Sequence, residues 1–268
     1  MKLIRYLDPN DKIRFAALDE ENGPPRVIQG NADAFEVTDE VAEIARTLSP
    51  VDARLIMGIG MNYRAHLEEM GRKEPQYPVL FMKSPSAVVG GDAPILLPRK
   101  LRSDKVDYEG ELAVVIGRVC HNVSRENALH YVLGYCCAND VSARDWQFEW
   151  NAGQFCRGKT FDTFCPLGPC LVTPDEIEDP HLLQIQTRLN GKLVQDSNTS
   201  DMIFDIPYLI EFLSASCTLL PGTVILTGTP EGVGAGRDPQ VFLKPGDSVS
   251  VEIEGIGVLT NPVVEEVL

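Results

Sequence analysis

The amino-acid sequence predicts a β-rich α+β fold, in which a mixed β-sandwich roll follows a small N-terminal α+β domain. From residue 54 onward, eight short strand-like runs, such as RLIMGIG, ELAVVIGR and TVILTG, alternate with glycine and proline breaks. Only three stretches there have helical character: 62–70, a segment after Ser124 and a segment from Asp205. A doubly wound parallel sheet needs a helix after nearly every strand, so the excess of strands favours a roll or sandwich.

Residues 1–52 are interpreted as the small domain. Two strand-like runs, KLIRYL and IRFAAL, precede a predicted helix with Thr38 as its N-cap, acidic residues in its first turn and Pro50 at its end. The second domain is therefore predicted to span residues 53–268.

The composition disfavours several classes of protein. The 268 residues carry a formal charge of −15, whereas nucleic-acid binding depends on lysine and arginine that displace counterions. No window approaches the roughly 18 apolar residues of a membrane span, and the N-terminus lacks a signal-peptide run. These features predict a cytoplasmic protein without a nucleic-acid or membrane partner. Seven cysteines without a C-x-x-C pair indicate reduced, packed thiols.

Two glutamates lie at the N-terminal end of a strand-like run in VDYEGELAVVIG, residues 106–117. Side chains alternate along a strand, so Glu109 and Glu111 share one face with Cα atoms about 6.5–7 Å apart. Two buried carboxylates at this spacing are costly unless a cation compensates them, and a divalent metal ion does so while fixing their geometry. The alternative is a solvated strand start with two ordinary surface acids.

A third carboxylate follows another apolar strand, in GYCCANDVSARDWQ, residues 134–147. Asp140 ends that strand, and Arg144 and Gln147 would share one face of a helical turn expected directly after it. Alternatively, Asp140 caps this helix and Arg144 pairs with the adjacent aspartate. Three carboxylates leave part of an octahedral shell to water and a chelating substrate, so the site predicts Mg²⁺ or Mn²⁺.

A short helix after glycine-rich backbone carries His66 and Glu69, three residues apart in GIGMNYRAHLEEM. This spacing lets the carboxylate orient the imidazole as a general base requires, on a segment able to move as a lid. An ordinary surface histidine is the alternative. In FCRGKTFDTFCP, Lys159 would stay protonated beside three carboxylates and be available to an oxyanion, or else be a surface charge.

Five segments, taken together, resemble the fumarylacetoacetate hydrolase family: GMNYRAHLEEM, VDYEGELAVVIG, ANDVSARDWQ, RGKTFDTFCPLGP and LTGTPEGVG. They occur in family order across residues 58–234, nearly the whole second domain. The resemblance implies a β-rich roll with a small N-terminal domain, a homodimer, and Mg²⁺ or Mn²⁺ as cofactor. It also implies that Glu109, Glu111 and Asp140 are metal ligands. By the same resemblance, His66, Glu69 and Lys159 are catalytic residues, and Arg144, Gln147 and Thr229 contact the substrate.

Two further features stay outside this set. Lys83 in LFMKSPSAVVGG either points into the pocket or is a structural lysine near a loop. The glycines of TGTPEGVGAG superficially match a dinucleotide-binding fingerprint, but the turn-like RDPQVFLKPGD follows them and no βαβ unit is present. A nucleotide cofactor is therefore not predicted.

The predicted substrate is a small-molecule 2-oxo acid, whose carboxylate and carbonyl oxygens can chelate a hard metal that stabilises the enolate. C–C bond hydrolysis of a 2,4-dioxo acid, with His66 activating water, is the first prediction. The alternatives are oxaloacetate tautomerisation or decarboxylation and 2-hydroxyhepta-2,4-diene-1,7-dioate isomerisation, and GKTFDTFCPLGP favours the oxaloacetate branch. A non-catalytic scaffold of the same fold is an alternative of another class, which metal content after purification would distinguish from an enzyme.

Overall fold

Strands dominate the architecture of the computed structural model, which describes residues 1–18, 23–31, 34–150 and 152–268. The strands in these ranges are β1 Lys2–Leu7, β2 Ile13–Leu18, β3 Arg26–Asn31, β4 Ala34–Val41, β5 Arg46–Thr47, β6 Leu55–Gly60, β7 Val79–Lys83, β8 Val88–Val89, β9 Ile95–Leu97, β10 Val106–Asp107, β11 Gly110–Ile116, β12 Val132–Asn139, β13 Ser142–Ala143, β14 Cys165–Val172, β15 Gln184–Leu189, β16 Lys192–Asn198, β17 Thr223–Leu226, β18 Ser248–Ile253 and β19 Gly257–Glu265. The α-helices are α1 Arg64–Glu69, α2 Phe155–Lys159 and α3 Ile206–Ser216. Short 3₁₀-helices occupy Pro85–Ala87, Arg125–Tyr131, Pro174–Glu176, Thr199–Asp201 and Gly234–Gly236, and a π-helical turn occupies Asp145–Glu149.

Twelve strands form one large mixed sheet with the order β4-β3-β2-β1-β14-β12-β11-β17-β6-β7, to which β5 and β8 add at β1 and β14. Neighbours along this path are antiparallel except β17 and β6. Because β1 pairs with β14, the N-terminal strands continue the sheet that holds the later ones. The domain boundary at residue 52 stays a prediction, and it crosses this continuous sheet.

A second sheet of five strands, in the order β16-β15-β18-β19-β9, packs against the middle of the large sheet. Leu112 and Cys137 from the large sheet share a core with Ile185, Val251 and Leu259 from the second, and none of the five is more than 1% exposed. Face-to-face burial of two sheets is the arrangement of a β-sandwich. The predicted β-rich fold class is confirmed.

The helix predicted between Thr38 and Pro50 is wrong. Thr38 lies in β4, and its hydroxyl donates a hydrogen bond of 2.9 Å to the carbonyl oxygen of Val27 on the neighbouring strand. The segment FEVTDEV has the alternation and β-branched residues of a strand, and pairing with β3 satisfies its backbone, which outweighs a local cap signal. The described part of residues 1–52 therefore contains strands but no helix.

The other helical predictions fare better. Helix α1 lies within 62–70, and α3 begins after Asp205, whose Oδ1 accepts a hydrogen bond of 2.9 Å from the amide of Tyr208. The segment after Ser124 is helical but of the 3₁₀ type. The helical turn expected directly after Asp140 begins only at Asp145, because β13 intervenes and pairs with β10.

Two predictions from composition concern the state of the cysteines and the absence of a membrane span. All seven cysteines are free, and five of them are buried. Among the described residues, no helix combines the length and the apolar character that crossing a membrane would require.

Candidate metal centre and active site

Three carboxylates from two neighbouring strands meet at one end of the large sheet. Glu111 lies in β11 and Glu109 directly precedes it, while Asp140 directly follows β12. The register sets Gly110 opposite Asn139, so the three acids come together, with ligand oxygens that all lie within 4.8 Å of one another. None is more than 6% exposed. Ordinary surface acids do not explain such a cluster.

Gly110 makes this arrangement possible. A Cβ at this position would lie 2.1 Å from Oγ1 of Thr187 in β15, so glycine lets the second sheet approach the strand closely. Because side chains alternate along a strand, Glu109 and Glu111 then point away from the second sheet and towards a cavity.

Buried cations surround two of the three acids. Nζ of Lys159 donates to Oε2 of Glu109 at 2.6 Å and to Oδ2 of Asp140 at 2.5 Å. Nζ of Lys83 lies 2.5 Å from Oδ1 of Asp140 and 3.1 Å from the carbonyl oxygen of Val141. Burial opposes the charge of Lys159, but the neighbouring Asp140 and Glu109 outweigh it and raise the pKa of the lysine. Lys159 is therefore protonated, as expected from the sequence.

Glu111 has no such partner. Its Oε2 accepts a hydrogen bond of 2.7 Å from the amide of Gly228, and it forms no ion pair within the described residues. Burial, together with the charges of Asp140 and Glu109, raises the pKa of Glu111 well above its ordinary value. Burial also opposes ionisation of Glu109, but Arg144 and Lys159 outweigh it and hold the pKa of Glu109 far below its ordinary value.

A divalent cation would relieve this imbalance. The donor set consists entirely of carboxylate oxygens, which suits Mg²⁺ or Mn²⁺ and not zinc, whose protein ligands are chiefly nitrogen and sulfur. The observation that makes the three residues fit a metal ion is the buried carboxylate of Glu111, which has no cationic partner among the described residues.

Arg144 and Gln147 lie together, as the sequence predicted for neighbours on one face of a turn. Nη1 of Arg144 lies 2.6 Å from Oε1 of Glu109 and donates to Oε1 of Gln147 at 3.0 Å. Its Nε donates to Oδ2 of Asp107 at 2.9 Å. The pairing of Arg144 with Asp145, which was the alternative, is not present.

His66 and Glu69 on α1 form a hydrogen-bonded pair. Nδ1 of His66 lies 3.2 Å from Oε2 of Glu69, and Oε1 of Glu69 accepts a hydrogen bond of 2.9 Å from the amide of Gly232. Burial disfavours the Glu69 carboxylate, but the bonds from His66 and Gly232 outweigh it and lower the pKa of Glu69. The second ring nitrogen of His66, Nε2, has no hydrogen-bond partner among the described residues.

A cavity of about 460 Å³ joins these groups. Seven of the nine site residues expected from the sequence line it, namely His66, Glu109, Glu111, Arg144, Gln147, Lys159 and Thr229. The other two site residues are hydrogen-bonded to lining residues, Asp140 to Lys159 and Glu69 to His66. Apolar side chains line much of the remaining wall, namely Ile59, Met61, Met70, Phe81, Phe148, Phe155 and Val233.

The hydroxyl of Thr229 already makes two hydrogen bonds within the protein. It donates to the carbonyl oxygen of Gly110 at 3.0 Å and accepts from Nε2 of Gln195 at 2.8 Å. A substrate would therefore meet its oxygen and not a free hydroxyl proton.

Sequence reasoning missed three residues at or beside the site. Asp107 is fully buried and paired with Arg144, and Gln195 supports Thr229. Arg72 lines the cavity from an exposed position. The alternation of acids in VDYEGE extends from Glu111 back to Asp107 and is a signal for that residue, whereas the sequence carries none for Gln195. Lys83, left open above, is a buried partner of Asp140.

Several known proteins are similar to this chain over most of its length. A family model described as fumarylacetoacetate hydrolase, C-terminal, matches residues 55–264. The chain is 51% identical over 218 residues to a mitochondrial oxaloacetate tautomerase of Xenopus laevis, a match that covers 81% of this chain and 68% of that protein. The chain thus spans about two thirds of that relative's length.

Two solved structures match almost the whole chain. The 5-carboxymethyl-2-hydroxymuconate delta-isomerase of Mycobacterium smegmatis has a TM-score of 0.87 and 42% identity, covering 99% of this chain and 100% of that one. The 2-hydroxyhepta-2,4-diene-1,7-dioate isomerase of Mycobacterium marinum has a TM-score of 0.85 and 40% identity, covering 99% of each chain.

Proposed function

Because this chain belongs to the fumarylacetoacetate hydrolase family, we propose that it is a metal-dependent enzyme that interconverts the keto and enol forms of oxaloacetate. The observation that carries the proposal is a cluster of three buried carboxylates, two of which line the cavity that His66, paired with Glu69, also lines. The family resemblance stated from the motifs is confirmed. Hydrolysis of a 2,4-dioxo acid, the first prediction from the sequence, stays a prediction.

Glu109, Glu111 and Asp140 would hold Mg²⁺ or Mn²⁺ in this site. Such an ion supplies Lewis-acid stabilisation of negative charge on the oxygens of a 2-oxo acid. Lys159 ties two of the three carboxylates together through two of its N–H groups. An ammonium has three donors, so its remaining N–H is available to the oxygen on which negative charge develops.

His66 is the proposed proton carrier. Glu69 holds Nδ1, and His66 lines the cavity, so Nε2 is the ring nitrogen assigned to the substrate. Tautomerisation removes a proton from C3 of the keto form and adds one to its carbonyl oxygen, so neither water nor an oxidant is consumed. A positioned imidazole typically accelerates such a transfer by about 10²–10⁴-fold.

The names of the relatives favour proton transfer over hydrolysis. The frog protein is a tautomerase, and both mycobacterial structures are isomerases. Isomerisation of 2-hydroxyhepta-2,4-diene-1,7-dioate is the second candidate, because the proteins with the isomerase names match this chain over 99% of its length. The three carboxylates and His66 would serve both reactions, and both candidate substrates carry two carboxylates.

A diacid needs a cation for its second carboxylate, and Arg72 is placed to supply it. Lys159 and Arg144 are bound to buried acids. Arg72 lines the same cavity from an exposed position, and its guanidinium has no hydrogen bond or ion pair with the described residues. We therefore assign Arg72 to the distal carboxylate of the substrate.

The test is an assay of the metal-loaded protein on oxaloacetate, acetylpyruvate, fumarylpyruvate and 2-hydroxyhepta-2,4-diene-1,7-dioate, with Mg²⁺ and with EDTA. We expect Mg²⁺-dependent decay of the ultraviolet absorbance of enol-oxaloacetate, which Glu109→Gln and His66→Asn abolish. Glu149→Gln, which removes an exposed carboxylate, is the matched control. Cleavage of acetylpyruvate without acceleration of the oxaloacetate reaction would instead support hydrolysis, and absence of bound metal would support a scaffold.

The role of Arg72 has its own control in the adjacent exposed Lys73. Loss of a hydrogen bond to a charged group should raise KM for oxaloacetate about tenfold or more in Arg72→Gln, with the inhibition constant of monocarboxylic acetylpyruvate unchanged. Lys73→Gln should leave both constants as they are. An equal effect of Arg72→Gln on both compounds would contradict the assignment.

The homodimer and the cytoplasmic location, both expected from the sequence, stay predictions. The homodimer can be checked by light scattering of the purified protein, and the cytoplasmic location by fractionation of the source cells.

A further inference from the structure

Asp107 is a buried junction beside the site. Its Oδ2 lies 2.9 Å from Nε and 2.8 Å from Nη2 of Arg144. The amides of Gly234 and Ala235 donate to its two oxygens at 2.8 and 2.9 Å, and the amide of Tyr108 donates to Oδ1 at 2.9 Å. One carboxylate therefore binds both the guanidinium of Arg144 and the glycine-rich turn 232–236.

Helix α1 packs against the same turn through Glu69. The amide of Gly232 donates to Oε1 of Glu69 at 2.9 Å, and a Cβ at Gly236 would lie 2.6 Å from Cδ of Glu69. The turn thus lies between the carboxylate that orients His66 and the carboxylate that holds Arg144.

Close packing on both sides explains the glycines of this turn. A Cβ at Gly234 would lie 1.8 Å from the carbonyl oxygen of Val241 and 2.6 Å from Oδ1 of Asp107, and Gly232 has a φ of 96°. The glycines that superficially match a nucleotide-binding fingerprint therefore allow turn 232–236 to pack closely against Asp107 on one side and helix α1 on the other.

We propose that Asp107 is a positioning residue that couples the docking of α1 on turn 232–236 to the orientation of Arg144. The inference rests on the proposed function, because it assigns a coupling between groups of that same site. When α1 leaves the turn, the turn loses the anchor of Glu69, and the support that Asp107 gives to Arg144 loosens. Docking of α1 and contact of Arg144 with the substrate are then cooperative.

A double-mutant cycle tests the coupling in the metal-loaded enzyme, with kcat/KM for oxaloacetate as the readout. Asp107→Asn keeps the shape of the side chain but places amide hydrogens against the guanidinium, and Glu69→Gln weakens the docking of α1. Each single variant should lose activity. The double variant should lose less than the product of the two losses, by about fivefold or more. Losses that multiply would overturn the proposal.

Hydrogen exchange supplies a test that does not depend on activity. In Asp107→Asn we expect faster amide exchange in a peptide covering 232–237 and also in one covering 64–70, which Asp107 does not contact. Asp145→Asn is the matched control, because Asp145 is equally buried and accepts from Ser103, Asp104 and Trp146 but not from the turn. It should leave the exchange of both peptides unchanged.

A second variant covers the case in which Asp107→Asn does not fold. Ala235→Pro leaves Asp107 in place but removes the amide that donates to its Oδ2 and restricts the backbone of Gly234, and it should likewise accelerate exchange in 64–70. Unchanged exchange in that helix would refute the coupling. If the wild-type protein does not turn over oxaloacetate, the proposed function fails while the exchange experiments still decide the coupling.

Discussion

Glu111, a proposed metal ligand, is the residue at which stability and the proposed function conflict most directly. It is a buried carboxylate without an ion pair in the described part of the chain, and its pKa is raised well above the ordinary value of 4.5 by burial and then by Asp140 and Glu109. Without a metal ion, the folded protein thus loses stability as the pH rises from about 4.5 through the pKa that Glu111 has in the folded state. Functional residues of this kind are retained at a cost in stability.

Replacing Glu111 by Gln should therefore stabilise the metal-free protein while it abolishes metal binding. The amide oxygen can still accept from Gly228, and the buried charge is gone, so we expect a gain of about 0.5–2 kcal/mol at neutral pH that vanishes below pH 4.5. Urea unfolding in EDTA measures the gain. Mg²⁺ at 100 times its Kd should add about 2.7 kcal/mol to the wild type and nothing to the variant.

Glu252→Gln is the control for that experiment, because it replaces a half-exposed glutamate in a strand. It should respond to Mg²⁺ as the wild type does. A variant at position 111 that is less stable in EDTA than the wild type would show that the carboxylate is satisfied by the protein alone.

Glu69 should give the opposite dependence on pH. Burial raises its pKa, but hydrogen bonds from His66 and Gly232 outweigh burial and lower it below the ordinary value of 4.5. Its ionised form therefore contributes stability that is present above pH 4.5 and disappears as the pH falls through the lower pKa of the folded state. We expect Glu69→Gln to be less stable than the wild type at pH 7, with the difference shrinking below pH 4.5 in urea titrations. A deficit that does not change with pH would contradict this account.

Single residues differ in how far the sequence reveals them. Glu109 and Glu111 could be identified because a strand forces alternate side chains to one face, and Asp140 because it ends an apolar strand. Arg72 and Gln195 could not, since their positions depend on how distant segments fold around the cavity. Asp107 was within reach, because it continues the same alternation.

Helix α1 is an element that depends on distant anchors. It has six residues, and Tyr63 at its N-cap makes no capping bond through its side chain. Instead, Oδ2 of Asp201 accepts a hydrogen bond of 3.0 Å from the amide of Ala65, and Nη1 of Arg64 donates to the carbonyl oxygen of Asp201 at 3.2 Å. Helices this short are not stable on their own, so these contacts and Glu69 hold it over the cavity.

Asp201→Ala should loosen this helix selectively. Loss of a capping acceptor typically costs about 0.5–2 kcal/mol, and here the effect should appear as faster amide exchange in 64–70 and a lower kcat/KM. The exchange of α3 should not change. Asp196→Ala, which removes a carboxylate bonded to Gln184 and Gln186 on β15, is the control. Equal effects of both variants on α1 would show that the cap from Asp201 is not specific.

Elements are predictable where the local signal and the pairing of strands agree. Helix α3 has its N-cap at Asp205 and Pro207 in its first turn, and both signals stand in the sequence. The segment from Thr38 has an equally good cap signal, yet it pairs with β3, because the backbone of a neighbouring strand satisfies it along its whole length. The sequence around Thr38 does not contain that neighbour, so local reasoning fails there.

The large sheet and a shared core join the N-terminal strands to the site-bearing part of the molecule. Ile4, Tyr6 and Ala16 from the N-terminal strands belong to the same buried cluster as Leu112 and Tyr135 from the site-bearing part. A boundary near residue 52 divides the sequence but not this core. Unfolding of the N-terminal strands without the rest would expose the side chains that the large sheet packs against.

Cooperative unfolding of the two parts is therefore expected, and the two tryptophans make it measurable. Trp146 and Trp150 both lie beside the site, so their fluorescence reports on residues 53–268, while Tyr6 lies in β1 and is fully buried. Tyr6→Ala should cost about 3–5 kcal/mol, as large-to-small changes in a core do, and shift the tryptophan transition in urea together with the circular dichroism transition. Ile13→Ala in β2, where the side chain is 53% exposed, should shift neither by a comparable amount. The contrary outcome is a tryptophan transition that stays in place in Tyr6→Ala while the dichroism splits into two steps. Only the N-terminal strands would then have lost stability, and residues 1–52 would fold as an independent domain.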